Sequence, residues 1–160
     1  MQIQGLQKLT LLDYPGRTAC TVFLSGCNFR CPFCHNAPLL TAADEDGMDE
    51  DELLAFLKKR QGLLDGVAVT GGEPLLRPDL PQLLEKIKAL GYAIKLDTNG
   101  AFPERLEAVV RAGLADYVAM DIKNSPARYA ETAGVPGLDL TPVFRSVSFL
   151  LRGMVNYEFR

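Results

Sequence analysis

An α/β fold built on a parallel sheet is predicted by three observations. Short β-branched or apolar runs alternate with amphipathic helical segments along the whole chain, the order that parallel sheets with right-handed crossovers require. Capping residues and glycine stops bracket most of the helical segments. Unusual polar or glycine-rich strings follow four successive strands, where an α/β sheet places its ligands.

The elements follow in order. Ala19 to Leu24 reads as a buried strand. Asp49, with Glu52 three residues on, forms a capping box that opens a helix through Leu53, Leu54 and Leu57 to Arg60, stopped by Gly62. Val67 to Thr70 is the second strand. Asp79 is expected to cap the next helix, whose Leu80, Leu83, Leu84, Ile87 and Leu90 follow the i, i+3, i+4, i+7 rule up to Gly91. Tyr92 to Asp97 is the third strand. Pro103 opens a helix to Ala112, ended by Gly113, and Asp116 to Asp121 is the fourth strand. Ser125-Pro126 starts a short helix, Thr141-Pro142 a longer one to Arg152, and Val155 to Phe159 is a fifth strand. The chain thus shows five strand–helix units.

Composition narrows the class. At 160 residues the chain has room for one domain with its own core, residues 1–160. Hydrophobic residues make up 48% and charged residues 23%, ordinary globular usage. No apolar run reaches the roughly 18 residues of a membrane-spanning helix, and Met1 to Gly16 carries no signal pattern, so a cytoplasmic protein without membrane contact is expected. Net charge is −3, but seven of the 20 acids lie between Asp44 and Glu52, a stretch read as a solvated loop and the negative first turn of a helix. Outside it the balance is only mildly basic, which predicts no nucleic-acid binding.

Cys27, Cys31 and Cys34 have the spacing C-x3-C-x2-C, while Cys20 sits inside the first strand and is expected to be a buried structural thiol. Bridges between such close neighbours are strained, and a cytosolic chain is kept reduced. Three sites remain open from spacing: an iron–sulfur cluster held by three thiolates with one iron free, a Cys3His zinc site using His35, and a Cys31–Cys34 thiol pair. The zinc site suffers from His35 being the immediate neighbour of Cys34, and the thiol pair leaves Cys27 without a role.

The other strand-end strings also have two readings each. Gly71-Gly72-Glu73-Pro74 offers close backbone approach and carbonyl acceptors for an ammonium group, or is a tight strand-to-helix turn. Asp97-Thr98-Asn99-Gly100 supplies acceptors, or is a plain turn. Asp121 and Lys123, two apart, point the same way and make either an amino-acid clamp or a surface ion pair.

The cysteine loop followed by Gly-Gly-Glu-Pro resembles the radical S-adenosylmethionine superfamily. Leu12-Asp13-Tyr14-Pro15-Gly16, the segment from Gly26 to Asn36, and Asp97-Thr98-Asn99-Gly100 are similar to the activating enzymes of glycyl-radical enzymes, particularly those of anaerobic ribonucleoside-triphosphate reductase. That resemblance implies a partial barrel of about six units, and hence a chain cut before its sixth. It implies one 4Fe–4S cluster on Cys27, Cys31 and Cys34, since only Cys20 remains, too few for a ferredoxin-like module. It implies S-adenosylmethionine held by Phe33, His35, Asn36, Gly71, Gly72, Glu73, Asp97, Thr98, Asn99, Asp121 and Lys123, with Phe33 beside the adenine and a monovalent cation near the two aspartates. One-electron cleavage of S-adenosylmethionine would give a 5′-deoxyadenosyl radical that takes a hydrogen atom from a glycyl-radical enzyme, with flavodoxin or ferredoxin as electron donor. Other readings are a pyruvate formate-lyase type activase, a small-molecule enzyme such as a 7-carboxy-7-deazaguanine synthase, and, from another class, a zinc-binding interaction module.

Overall fold

A computed structural model describes residues 1–40 and 47–160. Its centre is a six-stranded sheet in the order β2-β3-β5-β6-β7-β8. The strands are β2 (Gly5–Thr10), β3 (Ala19–Leu24), β5 (Gly66–Gly71), β6 (Ala93–Thr98), β7 (Tyr117–Met120) and β8 (Asn156–Phe159). From β3 onward every neighbouring pair is parallel, so the five strands expected from sequence form the parallel part of the sheet in chain order. Sequential order with no reversal is how a barrel begins to close.

Two features were not anticipated. β2 runs antiparallel to β3 and covers its free edge, and β1 (Gln2–Ile3) pairs with β4 (Met48–Asp49) in a small separate sheet. β2 alternates weakly, with Gln7 and Lys8 exposed and a register shift between Gln7 and Thr10, so its pattern lacks the apolar period that marks the buried strands.

The helices α1 (Glu50–Lys59), α2 (Leu80–Ala89), α3 (Pro103–Arg111), α4 (Tyr129–Ala133) and α5 (Thr141–Leu150) fall within the segments expected from sequence, α5 ending at Leu150 rather than Arg152. The Asp49–Glu52 capping box forms in both directions, at 2.8 and 3.2 Å. Asp79 behaves differently: its backbone is not extended (φ −90°, ψ 2°), its carboxylate makes no cap bond, and it pairs with Arg77 at 3.5 Å. The acidic run only partly lies among the described residues, Asp44 to Asp46 falling outside them.

Strand alternation separates two chemistries. One face carries Cys20, Val22, Leu24, Val67, Val69, Ile94, Leu96, Val118 and Met120, all buried in one core with Leu53 and Leu57 of α1 and Leu80, Leu83, Leu84 and Ile87 of α2. Cys20 is fully buried there, and burial pushes its thiol up to about 12. The opposite face carries the small or polar Thr21, Ala68, Lys95, Asp97, Ala119 and, just past β7, Asp121, together with the rings of Phe23 and Tyr117. Under its N-terminal end folds the Leu12–Gly16 loop, where a Cβ on Gly66 would lie 2.9 Å from the Tyr14 ring and Thr21 donates to Asp13 at 2.6 Å.

Candidate functional site

Backbone geometry brings the strand ends together around the cysteine loop. The N–H of Glu73 donates to the carbonyl of Gly26 at 2.8 Å, and that of Gly72 to the carbonyl of Leu24 at 2.9 Å. A Cβ on Gly72 would stand 1.9 Å from the Gly26 oxygen, and one on Gly71 (φ +122°) 2.2 Å from the Leu24 oxygen. Only glycines let the end of β5 lie this close to the loop. From the other side α4 grips the same loop: Arg30 N–H donates to Ala133 at 2.8 Å, and the left-handed Gly134 presses against the Arg30 carbonyl.

These contacts enclose a cavity of about 450 Å³, within the size range of small-molecule sites. Cys27, Cys31 and Cys34 form one wall with His35 and Asn36, and Gly71 and Gly72 form the floor beside Asp97, Thr98 and Asn99. Asp121, Lys123, Arg160 and Asp13 add charge, and Phe29 and Leu40 complete the lining. The convergence expected of four strand ends is therefore observed. Burial pushes the Cys27 and Cys31 thiols above their ordinary range, Lys123 partly opposing this at Cys31. Among the described residues no three His, Cys, Asp or Glu side chains converge on one point closely enough to hold a single metal ion. A Cys3His zinc site needs its donors about 2.0–2.3 Å from one ion.

Two expected site residues lie elsewhere. Glu73 is 1% exposed and does not line the cavity. Its Oε1 accepts from Leu75 N–H at 3.0 Å and from the Thr98 hydroxyl at 2.9 Å, and its Oε2 from Asn99 N–H at 2.7 Å. Desolvation still outweighs these three donors and raises its pKa to about 7. Phe33 is 55% exposed and also outside the lining.

Asn99 does more than turn the chain. Its Oδ1 accepts from Ala101 N–H at 3.0 Å, as a turn residue would, while its Nδ2 donates to Asn28 at 2.8 Å and reaches the Cys27 sulfur at 3.9 Å. Asn36 donates to the Gly71 carbonyl at 3.2 Å.

Lys123 and Asp121 do pair, at 2.7 Å, on the cavity wall. Two partners escaped the sequence reading. Lys95, 1% exposed, pairs with Asp97, and Arg160 bridges Asp97 at 3.3 Å and Asp121 at 3.1 Å. The Lys95-x-Asp97 spacing repeats the Asp121-x-Lys123 logic and was available as a signal. Arg160 had none, since it reaches both aspartates only through strand pairing.

Fold and site together define a strand-end cofactor cleft with three free thiols on a parallel α/β sheet. Residues 21–150 match the Radical SAM superfamily, and the chain belongs to it. A Methanocaldococcus jannaschii protein provisionally named as a glycyl-radical enzyme activating enzyme is 35% identical over 133 residues, covering 81% of this chain and 53% of that protein. The pyruvate formate-lyase-activating enzyme of Clostridium pasteurianum is 33% identical over 129 residues (77% of this chain, 52% of the relative). A 7-carboxy-7-deazaguanine synthase of Koribacter versatilis is 30% identical over 150 residues (92% and 62%). The chain thus spans about half the length of the first two of these relatives. Native anSMEcpe with bound AdoMet superposes with a TM-score of 0.65 at 20% identity, over 85% of this chain and 40% of that one. QueE from Escherichia coli gives 0.59 at 15%, over 99% and 93%. Both likenesses concern the fold. The superfamily implies a 4Fe–4S cluster and S-adenosylmethionine, and three thiols beside a glycine floor and a charged wall fit that pair.

Proposed function

We propose that the chain is the cofactor-binding part of an activase that installs a glycyl radical on anaerobic ribonucleoside-triphosphate reductase. The observation that carries the reading is the single cavity shared by Cys27, Cys31, Cys34, the Gly71–Gly72 floor and the Asp121–Lys123 pair. Matches to relatives named as glycyl-radical enzyme activating enzymes support the activase class.

In this reading the three cysteines hold the cluster. Bound there, cluster and S-adenosylmethionine supply the reductive one-electron chemistry of the superfamily, with flavodoxin or ferredoxin as donor. The Gly71 and Gly72 carbonyls accept from the methionyl amino group. Lys123 and Asp121 would offer the methionyl carboxylate and ammonium one partner of each sign. His35 and Asn36 border the adenine, with Phe33 able to cover it from the rim. Thr98 and Asn99 contribute at the β6 end, while Glu73 acts from behind by fixing both.

The test is electron paramagnetic resonance on the reduced, reconstituted protein mixed with anaerobic ribonucleotide reductase and S-adenosylmethionine. A glycyl-radical doublet on the reductase is expected. A doublet on pyruvate formate-lyase instead would move the substrate to that enzyme. A second reading, a 7-carboxy-7-deazaguanine synthase, draws on the relatives of that name. Release of the deazaguanine product with no protein radical would favour it.

A further inference from the structure

Resemblance places a monovalent cation beside Asp97 and Asp121, but the side chains already there compete for the same oxygens. Asp97 gives one carboxylate oxygen to Lys95 and the other to Arg160 Nη2 at 3.3 Å. Asp121 gives Oδ1 to Arg160 Nε at 3.1 Å and Oδ2 to Lys123 at 2.7 Å. All four oxygens of the pair therefore face a cationic nitrogen. Nearby backbone acceptors are engaged too: the Thr98 carbonyl takes Asp121 N–H at 2.9 Å, and the Met120 carbonyl takes Arg160 N–H at 3.0 Å.

Arg160 is also held in place. Its own carbonyl accepts from Ile122 N–H at 2.7 Å, so both its backbone groups belong to the β7–β8 ladder and the side chain starts from a fixed point. Burial opposes its charge, but Asp97 and Asp121 outweigh burial and hold the guanidinium above its ordinary pKa. Glu158, on the same strand, adds to that effect and also interacts with Tyr117.

An alkali ion between the aspartates would have to displace the guanidinium or sit against it. The planar fork of an arginine is suited to bridging two carboxylates, because its Nε and Nη atoms point in different directions. We infer that Arg160 is the built-in cation of the Asp97–Asp121 pair, and that this chain takes no free monovalent ion there. The guanidinium then sets the spacing of the β6, β7 and β8 ends, and only the Lys123 half of Asp121 opens for a ligand. Arg160 is in this sense a positioning residue.

Sodium-23 line broadening on the purified protein, titrated with NaCl at constant ionic strength against choline chloride, tests this without relying on cofactor or turnover. Wild type should show no saturable broadening, and its unfolding midpoint should be the same in sodium, potassium and choline salts. R160A, and R160Q as a second variant, should gain a saturable sodium signal that potassium competes away. A saturable sodium site in wild type that D97N removes would overturn the inference. So would R160A and R160Q variants that fold but bind no ion, because the guanidinium would then stand in for nothing.

Discussion

Glu73 Oε2 accepts the backbone N–H of Asn99 at 2.7 Å, tying the loop after β5 to the loop after β6 beneath the cavity. With Oε1 on Leu75 N–H and the Thr98 hydroxyl, one buried carboxylate fixes two of the four strand ends. Its role is architectural, and the cavity's shape depends on it.

Replacing Glu73 by Gln keeps the size but turns an amide NH2 toward groups that donate. A buried group left unsatisfied costs about 1–3 kcal/mol, so E73Q should unfold at lower urea and bind S-adenosylmethionine more weakly. Titration adds a second signature. The folded pKa of about 7 lies above the ordinary 4.5, so the stabilisation from protonated Glu73 is complete below about pH 4.5 and is lost as pH rises through about 7. Urea midpoints at a series of pH values should show that decline in wild type and a flatter curve in E73Q. Equal slopes would contradict the assignment.

Gly72→Ala places a methyl where the Gly26 carbonyl stands, 1.9 Å away. The end of β5 must then part from the cysteine loop. Far-UV circular dichroism should remain close to wild type while iron bound on reconstitution falls sharply; full iron loading would show that the contact is dispensable.

Lys95 is the buried member of the charged row, and K95M leaves Asp97 with Arg160 alone. Breaking a buried pair from one side costs about 3–5 kcal/mol; the remaining partner argues for the lower end. An unchanged urea midpoint would show that the pair contributes nothing.

The two kinds of cysteine should separate cleanly. C31A should lose iron and sulfide on reconstitution, while C20A, in the core behind the sheet, should keep both and lose only stability. Loss of the cluster in C20A would contradict the division between the two faces.

Much of this was readable from sequence because the parallel strands obey a simple rule. Residues such as Val67, Val69, Ile94 and Leu96 carry the apolar pattern, and polar strings follow where the strands stop. The capping box at Asp49 and Glu52 was legible for the same reason, being local. What escaped depended on pairing across the chain. β2 is recognisable only once β3 offers it an edge. Asp79 failed as a cap because Arg77 and a non-extended backbone claim it. The motif Gly-Gly-Glu named the right turn, yet it could not tell that Glu73 would turn inward while Gly71 and Gly72 face the cavity. Arg160 joins the site only through register with β7.

The proposed function requires that this cleft hold a cluster and cleave S-adenosylmethionine. The most direct measurement is anaerobic reconstitution followed by dithionite reduction and assay for 5′-deoxyadenosine. About four iron and four sulfide per chain are expected, with 5′-deoxyadenosine formed by wild type and not by C31A. One tightly bound zinc without sulfide, or a loaded cluster that yields no 5′-deoxyadenosine, would contradict it.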